Sequence, residues 1–437
     1  MESGPALALS TVLIGLAAAM RAATGTWLHP GSFFTVWWCF TGILPLLLAP
    51  REPVAPHAVV WLIAASIAVS AGAIVGNGGF KTRRLHSIPA VSKSELSILG
   101  LALVLAIIFG MGSNIAFMKE MSIAFSDVID IEKLVVASQQ AYAQKYAEPG
   151  TAPVPVVAQV LLPFVYLAPA LGGIVFVLRR EKLWRLLAVM SLMPAVSVTI
   201  LQTTKAAILF AISCWLSGYF ATRVRFGQLR VFTRGHLLVA AVFGTVLTVF
   251  FFFASFARLA STDLGLIDLV IVKLVTAAFG HMTVFSQWLA EYWHDGLDPS
   301  LGTITFAGPL ELLGFGQRVP GLFDSLVELV AGQTSNVYTG FRPLIQDWTI
   351  PGALAILAVL GFMGGVGFRM ITGGQWSGAF YLIATYVTIY WTPITWFWVY
   401  NSLTAAVVGV GLILFFVRLW RGRRHAPIQG EHFVGTA

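Results

Sequence analysis

The chain has 437 residues, of which 57% are hydrophobic and only 11% are charged, and its mean hydropathy is +0.83. A soluble globular protein carries about 25% charged residues, so this composition leaves too little polar surface to cover a water-soluble body. The net charge of +8 is explained by basic loops on one side of a membrane rather than by a nucleic-acid partner. The composition therefore predicts an integral membrane protein that binds lipid and no nucleic acid.

The apolar residues fall in blocks long enough to cross a hydrocarbon core of about 30 Å, which takes about 20 helical residues. The strands of a membrane barrel alternate between polar and apolar residues, whereas these blocks do not. We expect an all-α polytopic membrane protein with about eleven transmembrane helices and see no convincing internal repeat. The expected spans are 6–23, 33–49, 59–75, 96–117, 156–178, 183–200, 206–222, 237–256, 350–368, 379–391 and 394–417.

The first block has no basic region before it, so we expect a retained helix rather than a cleaved signal. Cys39 and Cys214 lie inside apolar blocks, which predicts free thiols within helices.

The spans divide the chain into four expected regions. Residues 1–257 hold the first eight spans, with a smaller outer loop near 119–155. Residues 258–347 form a large outer loop, residues 348–420 hold the last three spans, and residues 421–437 form a cytoplasmic tail.

Basic residues follow the third, fifth, seventh and eleventh blocks. With eleven spans these loops all fall on one side, which the positive-inside rule places in the cytoplasm, with the N-terminus outside. The residues concerned are Lys81, Arg83, Arg84, Lys93, Arg179, Arg180, Lys182, Arg185, Arg223, Arg225, Arg230, Arg234, Arg418, Arg421, Arg423 and Arg424.

The large outer loop begins with an apolar stretch, residues 264–293, that resembles a further crossing. A single crossing there would move Arg369 and the last basic cluster to the outside, against the charge rule. We therefore predict helices that lie at, or dip into, the outer membrane face, with a break at Gly280. A second amphipathic stretch, residues 319–332, follows, and a plain structural cap remains the alternative for both.

Ionisable residues near membrane depth are costly and suggest function. Here they gather at the outer ends of helices, where several cations suit a bound polyanion such as a lipid-linked pyrophosphate. These residues are Lys205, Arg258, His281, Gln287 (polar but uncharged), Glu291, Arg342 and Asp347.

Each of these residues also has a simpler interpretation. Lys205 or Arg258, taken alone, can simply extend its side chain to the lipid headgroups. His281 alone is more often a packed, hydrogen-bonded histidine, and Asp347 suits the N-cap of the ninth span. The sequence leaves these alternatives open.

The sequence contains no nucleotide-binding loop and no metal-ligand spacing. We therefore expect no cofactor and no metal, and a substrate that is already activated.

Residues 333–352, QTSNVYTGFRPLIQDWTIPG, resemble the oligosaccharide repeat-unit polymerases, the O-antigen and exopolysaccharide polymerase (Wzy-type) family of bacterial inner membranes. Members carry Asn-x-Tyr-Thr-x-Phe, then Asp, an aromatic residue and Gly, just before a late span. Weaker likenesses lie at 29–38 and 203–212, where Lys205 stands at a position that is often arginine. The matching late positions are Asn336, Tyr338, Thr339, Phe341, Asp347, Trp348 and Gly352.

The resemblance implies a metal-independent glycosyltransferase of the GT-C class. It would transfer a growing glycan from undecaprenyl pyrophosphate to an incoming lipid-linked repeat unit at the periplasmic face of the inner membrane. A chain-length regulator and a flippase are the implied protein partners.

The resemblance also implies roles for particular residues. Three cations would bind the pyrophosphate and stabilise the charge on the leaving group: Lys205, Arg258 and Arg342. A base would deprotonate the attacking hydroxyl; the first choice is His281, followed by Asp347 and Glu291. The expected sugar-binding residues are Asn336, Tyr338 and Gln287, and Trp288 and Trp293 are further stacking surfaces unless they belong to an interfacial aromatic belt.

Two other functions stay open. An O-antigen ligase uses the same donor with a lipid A core acceptor. A transporter or flippase of lipid-linked glycans favours inverted halves and charges at the membrane midplane, whereas the expected spans carry almost no internal charge.

Overall fold

The computed structural model describes most of the chain. The described residues are 4–49, 53–80, 91–124, 126, 133, 156–202, 204–231, 238, 241, 244–245, 247–252, 255, 265, 267–296, 298–315, 323, 325–329 and 332–424. Part of the expected eighth span, most of the outer loop near 119–155, and Arg258 lie outside these residues.

The described chain is almost entirely helical, with one two-stranded sheet. Its helices are α1 Gly4–Thr24, α2 Pro30–Leu48, α3 Pro56–Asn77, α4 Lys93–Glu120, α5 Val156–Leu178, α6 Lys182–Met190, α7 Met193–Leu201, α8 Lys205–Arg225, α9 Ile267–Phe279, α10 His281–Asp295, α11 Ala307–Leu312, α12 Phe341–Thr372, α13 Ser377–Trp391 and α14 Asn401–Arg424. The strands are β1 Val327–Glu328 and β2 Thr334–Ser335.

Local sequence signals set several helix ends. Pro30 and Pro56 occupy the first turns of α2 and α3, where the missing N–H is not needed. At the start of α4 the Ser92 hydroxyl accepts the Glu95 N–H, and the Glu95 carboxylate accepts the Ser92 N–H at 2.6 Å. This reciprocal pair satisfies two N–H groups that a helix start leaves unbonded.

Nine helical segments of the described chain are long and apolar enough to cross a membrane, and the bent pair α9 and α10 gives a tenth if it counts as one span. One of the nine, Lys182–Leu201, combines α6 and α7. Helix α13 coincides with the expected tenth span but has only 15 residues. The all-α polytopic membrane architecture is thus confirmed, and the total of eleven spans and the GT-C-like fold stay predictions. Cys39 and Cys214 are free and lie in α2 and α8, as expected.

Helices α3 and α12 pack closely because each presents glycines one turn apart. A Cβ atom on Gly72 would overlap the carbonyl of Ala358, and one on Gly365 would overlap the carbonyl of Ala73. Gly76 and Gly361 are equally close to the facing backbone. The pair therefore forms a reciprocal Gly-x-x-x-Gly contact, which lets two membrane helices approach at backbone distance.

The two ends of the bundle differ in charge. At one end Arg179 donates to the Leu96 carbonyl at 3.0 Å, and Arg225 donates to the Gly374 carbonyl at 2.5 Å. These bonds join the start of α4 and the ends of α5, α8 and α12, so we call this the basic end. The opposite end, where α2 and α13 end and α3, α8, α12 and α14 begin, is called the loop end.

The break expected at Gly280 is confirmed, since α9 and α10 meet there with a bend of 56°. Helix α10 starts against the Thr41 carbonyl of α2 and reaches the first turn of α3, where the His57 ring bonds to the Ser286 carbonyl at 2.8 Å. It therefore runs from within the bundle toward the loop end.

Two details differ from the sequence-based expectation. The end of the expected outer loop, residues 341–348, is already helical and forms the first part of α12. Helix α12 is broken at Thr349 (φ 60°, ψ 176°), so its second part begins at 350, where the span was expected. In the expected amphipathic stretch 319–332, Val327 and Glu328 form β1 rather than a helix. Gly332, with φ of 67°, supplies the left-handed residue that lets the chain turn back into β2.

Candidate functional site

A half-buried arginine surrounded by aromatic rings is the most distinctive polar feature of the loop end. The Arg342 guanidinium carbon lies 3.8 Å from the centre of the Phe323 ring, 3.9 Å from that of Tyr338 and 5.3 Å from that of Trp288. Its Nη1 donates to the Ser325 hydroxyl at 3.1 Å. Aromatic faces attract a cation but do not neutralise it, so the charge remains available to an anion. We call these five residues the arginine cluster.

Three parts of the chain build the arginine cluster. Helix α10 supplies Trp288, the segment before β1 supplies Phe323 and Ser325, and Tyr338 and Arg342 flank the start of α12. The Tyr338 hydroxyl donates to the Ser325 carbonyl and lies 2.9 Å from its hydroxyl. Asn336 donates to the Phe323 carbonyl at 3.3 Å. Asn336 and Tyr338 therefore help to hold the cluster together, and their expected role in sugar binding stays a prediction.

Two further expected residues lie beside the arginine cluster on α10. Glu291 is exposed and interacts electrostatically with Arg342. Gln287 precedes Trp288 and is half-buried, whereas Trp293 is exposed and its ring lies 6.4 Å from that of His57. Glu291 is thus an accessible carboxylate next to a held cation.

His281 lies outside the arginine cluster. Its side chain is 5% exposed, and its Nε2 donates to the Thr41 carbonyl at 3.0 Å. The ring also bonds to the backbone of Ala278 and lies 6.5 Å from the Trp38 ring. This environment fits the packed histidine interpretation and argues against the expected role as the first-choice base.

Asp347 is fully buried. It was expected to cap the start of the ninth span, but its carboxylate binds residues 300–305 instead. Its carboxylate accepts the Thr305 N–H at 2.5 Å, the Ile304 N–H at 3.2 Å and the Ser300 hydroxyl. Because Asp347 lies inside α12 and bonds to a distant turn, the N-cap interpretation is wrong. The same bonds occupy the carboxylate, which argues against a role as a base.

Lys205 begins α8 at the loop end. Its Nζ donates to the Ser255 hydroxyl at 2.6 Å and lies 6.0 Å from the Phe251 ring. The structure therefore places Lys205 against described residues of the expected eighth span. Arg258, the third expected pyrophosphate ligand, lies outside the described residues.

The connection between α13 and α14 is longer than expected, because the last span begins at Asn401 rather than at 394. Residues 392–400 are not a helical continuation but a loop with a 3₁₀ turn at Phe397–Val399. The Trp391 ring stacks on Phe210 of α8 at 3.3 Å, and the Thr392 carbonyl accepts the Gly340 N–H at 2.6 Å. This loop thus joins the Lys205 helix to the start of the Arg342 helix. The signal was present in Pro393 and the run of aromatic residues around it.

Fold and site together define a multi-pass helical membrane protein with a half-buried cation at one end of its bundle. Comparison of the chain with protein-family models, curated proteins and solved structures gave no match. Within the described residues, no group of three or more His, Cys, Asp or Glu side chains is placed to hold a metal ion.

Proposed function

We propose that this protein is a glycosyltransferase that joins undecaprenyl-pyrophosphate-linked oligosaccharide units into a surface polysaccharide, at the periplasmic face of a bacterial inner membrane. The observation that carries the proposal is Arg342, a cation held by three aromatic rings and one hydroxyl within the stretch that resembles the polymerases.

The position of Arg342 suits a lipid-linked donor. The residue lies in the helical segment before the break at Thr349, at the loop end of the span Phe341–Thr372, so its charge is held near the depth at which a polyprenyl chain ends and its pyrophosphate begins. A guanidinium matches two phosphate oxygens at once, which a lysine cannot do. Partial burial strengthens that attraction, because the effective dielectric constant is lower than in water.

The proposed reaction exchanges one bond for another. The acceptor sugar's hydroxyl oxygen attacks the anomeric carbon of the donor glycan, and the bond from that carbon to the pyrophosphate oxygen breaks. Arg342 stabilises the negative charge that develops on the leaving pyrophosphate, and Lys205 is the second proposed phosphate ligand. The hydroxyl proton passes to Glu291, the accessible carboxylate beside Arg342.

The sugar-binding surface in this proposal lies on α10. Trp293 is exposed and offers a free aromatic face for a sugar ring, and Gln287 offers an amide on the same helix. Trp288 and Tyr338 are committed to Arg342, so they are not proposed as sugar-stacking surfaces.

The test is glycan length on the lipid-linked product, with the purified protein in liposomes and one matching lipid-linked repeat unit. We expect a ladder of longer glycans from wild type, and little product from Glu291→Gln. The matched control is Glu328→Gln, another exposed acid at the loop end. Transfer that occurs only with a lipid A core acceptor would replace the proposal with a ligase. Passage of the lipid-linked unit across the bilayer without any new bond would replace it with a transporter.

A further inference from the structure

Residues 301–315 carry five large apolar side chains on an exposed surface, which we call the apolar shoulder. Their exposed fractions are 74% for Leu301, 41% for Phe306, 73% for Leu312, 68% for Leu313 and 76% for Phe315. Leaving such side chains in water is unfavourable compared with burying them in an apolar environment. Several large apolar side chains exposed within one short segment are typical of an interaction site.

The apolar shoulder is fixed to the bundle at the level of two membrane spans. Asp347, inside α12, binds the turn of residues 300–305 through its carboxylate. Gly308 packs so closely on the backbone of Val399 and Asn401 that a Cβ atom would overlap the Val399 carbonyl. Asn401 is the first residue of the span Asn401–Trp420. The shoulder therefore lies where these spans enter the bilayer.

The charge of residues 301–315 indicates which kind of partner contacts the apolar shoulder. Between Leu301 and Phe315 the one ionisable residue is Glu311. The Glu311 carboxylate accepts a hydrogen bond from Asn401 at 3.4 Å, which ties this charge to the helix bundle. Glu311 and Thr303 are themselves exposed, but the five large exposed side chains of the shoulder are apolar, which suits acyl chains better than water.

We infer that the apolar shoulder inserts into the lipid leaflet at the loop end, so that this leaflet is the partner of residues 301–315. Its surface continues the lipid-facing surface of α14, where Val408 and Leu412 are exposed. The inference does not depend on the proposed enzymatic activity. A second copy of the chain is the competing occupant.

Site-directed spin labelling tests the inference in liposomes without substrate. A nitroxide is attached at Leu312→Cys or Phe315→Cys, in a background with Cys39→Ala and Cys214→Ala. Collision with oxygen, which concentrates in lipid, is compared with collision with a water-soluble nickel complex. Val408→Cys is the lipid reference, and Glu328→Cys is the aqueous reference at the same end.

We expect both shoulder labels to favour oxygen several-fold more strongly than the label at Glu328→Cys does. Nickel accessibility equal to that of the Glu328→Cys label would overturn the inference. Low collision with both reagents, together with dipolar broadening between labels, would also overturn it in favour of a second copy.

A second measurement uses the native protein and avoids variants that fold poorly. Lipids with a photoreactive acyl chain are activated in the liposomes, and the adducts are mapped by mass spectrometry. Adducts are expected within residues 301–315 as well as on α14. Labelling of α14 without labelling of 301–315 would contradict the inference.

Discussion

The guanidinium of Arg342 lies 3.9 Å from the centre of the Tyr338 ring, and both side chains reach the hydroxyl of Ser325. The phenol thus contributes in two ways, through the face of its ring and through the serine that it orients. The ring attracts the cation directly, and the serine accepts a hydrogen bond from it. Removing only the phenolic oxygen separates these effects.

Tyr338→Phe keeps the aromatic face over Arg342 and removes the bonds to Ser325. A hydrogen bond of this kind contributes about 1 kcal/mol, so we expect the polymerising activity to fall roughly fivefold. Initial rates at several donor concentrations measure it, with Tyr381→Phe at the basic end as the control. Activity unchanged from wild type would show that Arg342 keeps its position without the phenol.

Asp347→Asn tests whether this buried carboxylate is structural. The amide replaces one acceptor by a donor that faces the N–H groups of Ile304 and Thr305, which leaves buried groups unpaired. We expect the free energy of unfolding to fall by about 1–3 kcal/mol and the Tm to fall with it. The exposed Asp298→Asn in the same loop is the control. Lost activity at an unchanged Tm would instead support the role of a catalytic base.

Gly365→Val tests the contact between α3 and α12. The new side chain would meet the Ala73 carbonyl, so the two helices must separate. We expect a loss of about 1–3 kcal/mol or more from overpacking, measured as a lower unfolding temperature in detergent. Gly15→Val is the control, because a Cβ atom there meets nothing within 4 Å. Equal effects of the two substitutions would contradict the close packing.

His29 predicts a pH dependence of stability. It is fully buried before α2, with its ring 5.3 Å from that of Phe368, and burial lowers its pKa to about 4 from 6.5. Between those values the unfolded chain binds a proton that the folded chain does not, so stability falls as the pH decreases from about 6.5 to about 4. The difference between these two pKa values corresponds to about 3 kcal/mol in the free energy of unfolding.

The measurement is the Tm of wild type and of His29→Gln between pH 7 and pH 4. Carboxylates lose stability in both proteins as they are protonated, so the difference between the two curves isolates His29. We expect wild type to lose more stability than the variant over this interval. Parallel curves would show that His29 does not titrate in the expected direction.

Hydrophobic blocks predicted most of the described helices. A span in lipid must form its backbone hydrogen bonds within itself, so the residues that make it a helix are neighbours in the sequence. The break at Gly280 was predicted for the same reason, as a position where an apolar run contains glycine. The Gly-x-x-x-Gly spacings of α3 and α12 are also visible in the sequence. What the sequence does not contain is which of the helices face each other.

The site was harder to predict because its contacts join distant parts of the chain. Nothing near Asp347 indicates that its partners are Ile304 and Thr305, and nothing near Tyr338 indicates that its ring lies against an arginine. The aromatic partners of Arg342 come from α10 and from the segment before β1, and only folding brings them together. The charge of Arg342 was evident, but its surroundings were not.

The most direct measurement compares Arg342→Gln with Arg369→Gln in the liposome polymerisation assay. Both substitutions remove one arginine from the same helix, but Arg369 lies at the basic end, far from the arginine cluster. We expect Arg369→Gln to build the same ladder of glycans as wild type and Arg342→Gln to leave the repeat unit unextended. A full ladder from Arg342→Gln would contradict the central claim that this cation holds the pyrophosphate.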